Sequence, residues 1–178
     1  MKGVYVGLGN PGEKYKNNRH NVGFMMLDYM LGSENIKIQT QSENQKLQSI
    51  LYIAILKDYK YLFAKPQAYM NKSGEAVKKI MDFYKISLKD LTIIYDDLDI
   101  RLGEFKIHEG PGPQLHNGIL TIEEMLKTRS FNQIRIGVDN RDEDNRIDGE
   151  TYVLQDFLEE ERKTLHDGVF PKIMERIS

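Results

Sequence analysis

The order of apolar and polar positions along the chain predicts strands and helices in turn. The stretch from Val4 to Gly12 begins as a short apolar run with β-branched residues, which is typical of a strand, and ends in a Gly-Asn-Pro-Gly turn. Residues 22–31 are almost wholly apolar and precede Gly32, so they predict a buried helix. Residues 33–46 are polar without a clear period, and we expect them to be irregular.

Two strand-like runs in the next part of the chain predict a β-hairpin. They span residues 48–56 and 61–64, and Lys57 and Asp58 are among the polar residues between them. Ser73 is the predicted N-cap of a helix over residues 75–84, because the apolar side chains there have helical spacing.

The second half of the chain continues the alternation. The same patterns predict strands at 91–95, 105–108 and 131–138, and helices at 119–126, 157–165 and 170–177. The charged residues 139–150 predict an exposed loop. The order β-α-β-β-α-β-β-α-β-α indicates an α/β fold with a mixed sheet. Because no linker or repeat divides the chain, we expect residues 1–178 to form one domain.

The composition narrows the class of protein. Apolar residues make up 40% of the 178 residues, as in globular proteins, and there is no cysteine. A disulfide framework, a thiol nucleophile and the usual structural zinc ligands are therefore excluded. The sequence has no signal-peptide pattern and no apolar run of membrane-spanning length. We expect a soluble, cytoplasmic protein with no membrane partner.

The distribution of charge is more informative than the net charge of −2, which argues against a general nucleic-acid binder. Residues 1–90 hold 14 basic and 8 acidic residues, a balance of +6. The remaining residues hold 11 basic and 19 acidic ones, a balance of −8. This asymmetry allows one basic face, and a solvated surface with chance clustering explains it equally well.

Polar side chains with catalytic potential gather near the ends of the predicted strands. His20 follows the first strand, Asn71 the hairpin and Asp96 the fourth strand, and Asn117 precedes a helix. A histidine held by a carboxylate at one ring nitrogen can act as a base through the other. Asparagine can hold a water or polarise a carbonyl group without carrying charge. The set suggests hydrolysis by an activated water.

Structural explanations exist for the same residues. A histidine near a turn is more often a surface or hydrogen-bonded residue than a base, and this applies to His108, His116 and His166 more than to His20. Asparagine is a common turn former. Asp96 with Asp97 and Asp99 could bind a cation, although no histidine lies within a few residues of them. A dinucleotide site is disfavoured because the Gly7-x-Gly9 pair lacks the later glycine.

Six ordered blocks of the chain resemble the bacterial-type peptidyl-tRNA hydrolase family. The first is Gly7-Leu8-Gly9-Asn10-Pro11-Gly12-x-x-Tyr15-x-x-x-Arg19-His20-Asn21-Val22-Gly23. The others are Lys65-Pro66-x-x-Tyr69-Met70-Asn71-x-Ser73-Gly74, Tyr95-Asp96-Asp97-Leu98-Asp99-x-x-x-Gly103, His116-Asn117-Gly118, residues 131–137, and Tyr152-Val153-Leu154 with Phe157. They follow the family order and span nearly the whole chain, which makes the match far more specific than one short motif.

The resemblance implies a fold, an activity and a catalytic set. It implies one α/β domain in which a twisted mixed sheet lies between helices, a three-layer α/β/α arrangement. It implies cleavage of the ester between a peptide and tRNA, without metal or cofactor. We expect the chain to act as a monomer. In this pattern His20 is the general base, Asp96 orients it, and Asn10 helps to distinguish a blocked α-amino group from a free one.

The resemblance also implies which residues meet peptidyl-tRNA. Asn71 and Asn117 would hold the peptide backbone and the terminal adenosine region. Tyr15 and Tyr69 would contact the tRNA end. Met70 would line the peptide channel, and Arg135 would grip a tRNA phosphate.

The chain also departs from the family pattern. Pro111 and Pro113 stand in the 110–115 loop, where a run of glycines is usual, and proline removes backbone donors and flexibility. His108 and Gln133 replace residues that are commonly basic, and Gln155-Asp156 stand where a glycine and a basic residue are usual. These changes weaken the expected grip on tRNA. A second hypothesis is therefore an RNA-binding family member with little activity.

Overall fold

Seven strands form one sheet within residues 1–113, 115–142, 144 and 147–177, which the computed structural model describes. The strands are β1 (Val4–Gly7), β2 (Ile36–Asn44), β3 (Ser49–Leu56), β4 (Tyr59–Pro66), β5 (Leu91–Arg101), β6 (Phe105–Glu109) and β7 (Asn132–Asp139). Their spatial order is β2-β3-β4-β1-β5-β7-β6. The central strands β4, β1, β5 and β7 run parallel, while β2, β3 and β6 pair antiparallel at the two sides. The predicted mixed sheet is confirmed.

Helices cover both faces of this sheet. They are α1 (Val22–Leu31), α2 (Ser73–Tyr84), α3 (Asn117–Leu126), α4 (Gly149–Val153), α5 (Glu159–Thr164) and α6 (Phe170–Ile177). A π-helical turn, Leu165–Val169, joins α5 to α6. One core cluster packs α1 and α6 against the sheet, and a second packs α2 and α3 against it from the other side. The three-layer α/β/α prediction is therefore confirmed. No described helix is both long and apolar enough to cross a lipid bilayer.

The register of the central strands decides where the polar turns meet. Gly7, at the end of β1, lies opposite Ile94 of β5, two residues before Asp96. Helix α1 follows β1 on one face, whereas α2 leads from β4 to β5 on the other face. A change of face beside a central strand opens a crevice at the carboxyl ends of parallel strands. The turn after β1 and the acidic part of β5 therefore border the same crevice.

Four of the predicted elements are corrected by the structure. The exposed loop predicted at 139–150 is shorter, because β7 ends at Asp139 and α4 begins at Gly149, and its residues 143, 145 and 146 lie outside the described residues. Residues 36–44, expected to be irregular, form the edge strand β2, whose side chains after Ile36 are mostly exposed and therefore show no apolar period. Ser73 is the first residue of α2 rather than its N-cap, because a short helical turn, Met70–Lys72, leads straight into the helix. Strand β5 continues past residue 95 to Arg101, since Asp96 and Asp97 keep their pairing with β7.

Candidate active site

His20 and Asp96 form a buried hydrogen-bonded pair at the crevice. His20 lies in the short helical turn Arg19–Asn21, which leads directly into α1, and Asp96 lies in β5. The Nδ1 atom of His20 is 2.8 Å from Oδ1 and 2.9 Å from Oδ2 of Asp96. Because an ionised carboxylate only accepts hydrogen bonds, Nδ1 of His20 carries a hydrogen atom and donates a hydrogen bond to the carboxylate. In the neutral ring, Nε2 of His20 is then the free base.

His116 is the second imidazole on the same carboxylate. It caps α3, where its Nδ1 atom accepts the backbone N–H of Ile119 at 3.2 Å. The hydrogen of the neutral ring therefore sits on Nε2, which donates to Oδ1 of Asp96 at 2.9 Å. His116 is not among the site residues that the sequence predicts. Its position directly before a predicted helix was the signal available, since N-cap side chains are fixed by backbone amides.

Burial and charge act in opposite directions on the pair. Burial alone lowers the pKa of His20, but the Asp96 carboxylate more than offsets this, so that the pKa of His20 lies above its ordinary value of 6.5. Burial alone raises the pKa of Asp96, but the imidazoles of His20 and His116 hold it well below its usual range. At neutral pH the carboxylate is therefore ionised and able to orient both rings.

Three hydrogen bonds hold Asn10 in place. Its side-chain Oδ1 accepts the backbone N–H of Met70 at 2.8 Å, and this sets the orientation of its amide. Its backbone N–H donates to Oδ1 of Asn21, and its carbonyl accepts from Nδ2 of Asn21, each at 2.9 Å. Among the described contacts the Asn10 amino group has no partner. Asn10 therefore offers a rigid hydrogen-bond donor rather than an acceptor.

A buried ion pair holds the turn that carries His20. The guanidinium group of Arg19 lies 2.6 Å from Oε2 of Glu161 and stacks on the ring of Tyr152, 4.1 Å from its centroid. It also donates to the backbone carbonyl of Asp156 at 2.9 Å. Removing one partner of such a pair typically costs about 3–5 kcal/mol. Arg19 therefore fastens the turn of His20 to the C-terminal part of the chain.

A cleft of about 700 Å³ opens onto His20, Asp96 and Asn117. Asn117 is the exposed first residue of α3, and Asn71 lies exposed in the Met70–Lys72 turn, which packs against α3. Since Asn10 binds the backbone of Met70 in that turn, the three predicted asparagines are linked to one region of the molecule.

Comparisons with known proteins identify the family of the chain. A family model described as peptidyl-tRNA hydrolase matches residues 4–178. The chain belongs to the peptidyl-tRNA hydrolase family. A relative from Phytoplasma mali is 40% identical over 170 residues, which are 96% of this chain and 93% of the relative. A relative from Bacillus subtilis is 37% identical over 166 residues, which are 93% and 85% of the two chains. Both are named peptidyl-tRNA hydrolase.

A solved structure of the same family has the same fold. The crystal structure of the Acinetobacter baumannii peptidyl-tRNA hydrolase matches this chain with a TM-score of 0.86 and 27% identity, over 98% of this chain and 86% of that one. The resemblance drawn from the six sequence blocks is thereby confirmed.

In this member of the family, the two tyrosines predicted at the tRNA end touch each other. The rings of Tyr15 and Tyr69 meet edge to face with their centroids 6.4 Å apart. The Lys14 ammonium lies 4.6 Å from the Tyr15 centroid, and Tyr69 is exposed over 56% of its surface. The pair forms an aromatic surface with an adjacent positive charge, which suits a stacked base. Met70, by contrast, is buried in the core beneath α2 and α3, and its contact with a peptide stays a prediction.

Arg135 is already paired in this structure. Its Nε atom donates to Oδ2 of Asp97, which is fully buried, and Oδ1 of Asp97 accepts the backbone N–H of Asp99 at 2.8 Å. A phosphate could therefore meet only the remaining N–H groups of Arg135, and its grip on tRNA stays a prediction.

The same contacts bear on the cation hypothesis. Because Asp97 is occupied by Arg135 and Asp99, the structure gives the proposed Asp96, Asp97 and Asp99 site no support. Within the described part of the chain, metal-ligand spacing occurs at His20, Asp96 and His116. Both imidazoles hydrogen-bond directly to the Asp96 carboxylate at 2.8–2.9 Å, whereas tetrahedral zinc ligands lie about 3.3 Å apart.

Proposed function

We propose that this chain hydrolyses the ester bond joining a peptide, or an N-blocked aminoacyl group, to the 3′ end of tRNA, and so releases tRNA for reuse in translation. The observation that carries the proposal is the His20–Asp96 pair on the wall of the cleft, with Nδ1 of His20 committed to the carboxylate. Family membership supports hydrolysis over the alternative of a weakly active RNA-binding protein.

The proposed reaction proceeds in two proton-balanced steps. Nε2 of His20 takes a proton from water as the water oxygen attacks the ester carbonyl carbon, and Asp96 stabilises the imidazolium that forms. The tetrahedral intermediate then breaks its bond to the ribose oxygen, which receives the proton from His20. Peptide acid and tRNA leave, and His20 returns to its neutral form. An ester is already activated, so a positioned water and a base suffice without a covalent intermediate.

The amide of Asn10 supports a discrimination between blocked and free aminoacyl groups. Because Oδ1 of Asn10 accepts from Met70, the amide is oriented so that its amino group, which has no described partner, is available to the substrate. A peptide or formyl group presents a carbonyl oxygen, which accepts from that donor, whereas a free α-ammonium group presents only donors. Asn71 and Asn117 would hold the peptide backbone and the terminal adenosine region, and amide recognition of backbone permits any peptide sequence.

The wider setting of this function is also part of the proposal. We expect a monomeric enzyme that works in the cytoplasm and binds peptidyl-tRNA through Tyr15, Tyr69 and lysine contacts to phosphates.

Replacing the base tests the proposal. In a single-turnover assay with N-blocked aminoacyl-tRNA, His20→Ala should reduce hydrolysis by about 10²–10⁴-fold, which is the usual contribution of a general base. His166→Ala is the matched control, since His166 lies exposed on the π-helical turn and should leave the rate unchanged. Both assays are repeated in excess chelator, where a metal-independent enzyme keeps its rate. Full turnover by His20→Ala would eliminate His20 as the base, and binding without turnover by the native chain would favour the RNA-binding alternative.

A further inference from the structure

We infer that Gln133 is a positioning residue, which together with Tyr95 anchors the start of the loop beside the cleft and thereby keeps the substrate entrance formed. This inference rests on the proposed function and adds a determinant of substrate binding to it. The loop concerned comprises Gly110 to Pro113, between β6 and α3, and is called the anchored loop below. Pro113 lines the cleft.

A chain of two hydrogen bonds links the loop to the sheet. The Tyr95 hydroxyl donates to Oε1 of Gln133, and Nε2 of Gln133 donates to the carbonyl oxygen of Gly110. Both side chains are fully buried, Tyr95 on β5 and Gln133 on β7. Burial raises the pKa of Tyr95 far above its ordinary value, so its hydroxyl stays a donor. Losing the Tyr95 hydroxyl would leave Oε1 of Gln133 without this donor, and losing Gln133 would leave both the hydroxyl and the Gly110 carbonyl without their described partner.

Further contacts hold the same loop. Nε2 of His108, at the end of β6, lies 3.1 Å from the carbonyl oxygen of Pro111 and donates to it. Gly112 packs directly on the buried pair. A Cβ atom on Gly112 would lie 2.8 Å from both Oε1 of Gln133 and the Tyr95 hydroxyl oxygen. The loop backbone therefore approaches the pair as closely as a glycine permits.

Tyr95 also contacts His116, which binds the Asp96 carboxylate, but neither Tyr95 nor Gln133 is part of the proposed catalytic pair. The Tyr95 ring lies edge to face with the ring of His116, with centroids 4.9 Å apart. Tyr95→Phe keeps this ring contact and removes only the hydroxyl. Gln133 itself makes no described contact with His20 or Asp96. A variant of Gln133 should therefore alter the loop and leave the base and its carboxylate in place.

The expected signature is a change in substrate binding without a change in chemistry. A loosened loop must be ordered again when substrate binds, which weakens binding and raises KM. Tyr95→Phe should raise KM about fivefold, the scale of one hydrogen bond. Gln133→Leu should raise KM further, because it also frees Gly110. Gly112→Ala should raise KM as well, because its added methyl group would meet the Gln133 and Tyr95 side chains and push the loop away from them. In all three variants kcat and the pH profile should stay as in the native chain.

The control and the second measurement separate this role from general damage. Ile134→Val changes a buried residue on the same strand that packs toward α1 and α6, and KM should not change. Amide hydrogen exchange at Gly110 and Gly112 should become faster in Gln133→Leu and stay native in Ile134→Val. Unchanged exchange in Gln133→Leu, or a fall in kcat with KM constant, would overturn the inference. The exchange experiment needs no hydrolysis, so it gives its answer even if the proposed activity is absent.

Discussion

The Asp96 carboxylate serves two imidazoles whose tautomers are set by different neighbours. Asp96 accepts the hydrogen bond from Nδ1–H of His20, whereas the backbone N–H of Ile119 fixes the tautomer of His116 by donating to its Nδ1. The lone pair that remains on His20 is therefore the one that can take a proton from water. The basicity of that nitrogen depends on how strongly the negative charge of Asp96 stabilises the protonated ring of His20.

Asp96→Asn should shift the pH dependence of hydrolysis to lower pH. A base works only when unprotonated, so native activity falls as the pH drops through the raised pKa of His20. Without the carboxylate, burial remains and lowers the pKa of His20, and the inflection should move below the native value. The maximal rate should fall by about 10²-fold or more, because Asn can also favour the wrong tautomer. A pH–rate profile of kcat/KM measures both effects, and an unaltered inflection would exclude the orienting role of Asp96.

His116→Asn should shift the same inflection in the opposite direction. Asparagine is a good N-cap and should keep the start of α3, but it is too short to donate to Asp96. The carboxylate then acts on His20 alone, and the pKa of His20 should rise. The comparison of this profile with that of Asp96→Asn is the measurement. A shift to lower pH in His116→Asn would show that His116 does not share the carboxylate as described.

His20 and Asp96 were predictable from the sequence, whereas His116 was not. The first two each follow an apolar run, and carboxyl ends of neighbouring parallel strands meet by topology. His116 follows a loop with two prolines and precedes a helix, and nothing local says that this helix begins beside β5. The pairing of Arg135 with Asp97 was hidden for a related reason, since it depends on the register between β7 and β5.

At the scale of elements, buried segments were predicted better than exposed ones. The limits of α1 match the apolar run at 22–31, because the helix packs against the core and most of its side chains are apolar. Strand β2 was missed because it lies at the sheet edge, where only Ile36 is buried and polar residues are tolerated. The pairing partner β3, rather than an internal pattern, makes residues 36–44 a strand.

Gly74→Ala should destabilise the packing of α2 on α3. A Cβ atom at Gly74 would lie 2.1 Å from the backbone oxygen of Thr121, and backbone cannot move aside as a side chain can. Overpacking typically costs about 1–3 kcal/mol, which exceeds the gain of about 0.5–1 kcal/mol that alanine brings to a helix. Urea unfolding should show a lower midpoint for Gly74→Ala. The exposed Glu75→Ala on the same helix should stay within about 0.5 kcal/mol of the native chain. Equal midpoints for the two variants would show that the close contact between α2 and α3 at Gly74 does not contribute to stability.

At the scale of the molecule, the two differently charged parts of the sequence occupy different sides of the sheet. Strands β1 to β4 come from the basic first 90 residues and lie together, whereas β5, β7 and β6 come from the acidic remainder. The seam between them is the β1–β5 border, where His20 and Asp96 meet. A polyanion such as tRNA should therefore approach the site from the side of β1, β4 and α2.

This separation of charge predicts that hydrolysis depends on salt through the RNA body of the substrate and not through its ester. The kcat/KM for full-length N-blocked aminoacyl-tRNA should fall steeply with salt, since each phosphate contact adds about 0.7–0.9 to the logarithmic slope. An N-blocked aminoacyl-adenosine presents the same ester without the RNA body, and its kcat/KM should hardly change. Lys72→Glu, exposed between Asn71 and α2, should reduce the slope for the full substrate only. Lys163→Glu, exposed on α5, is the matched control and should leave the slope unchanged. If the two lysine variants behaved alike, or if both substrates shared one slope, the basic side of the sheet would not be where tRNA binds.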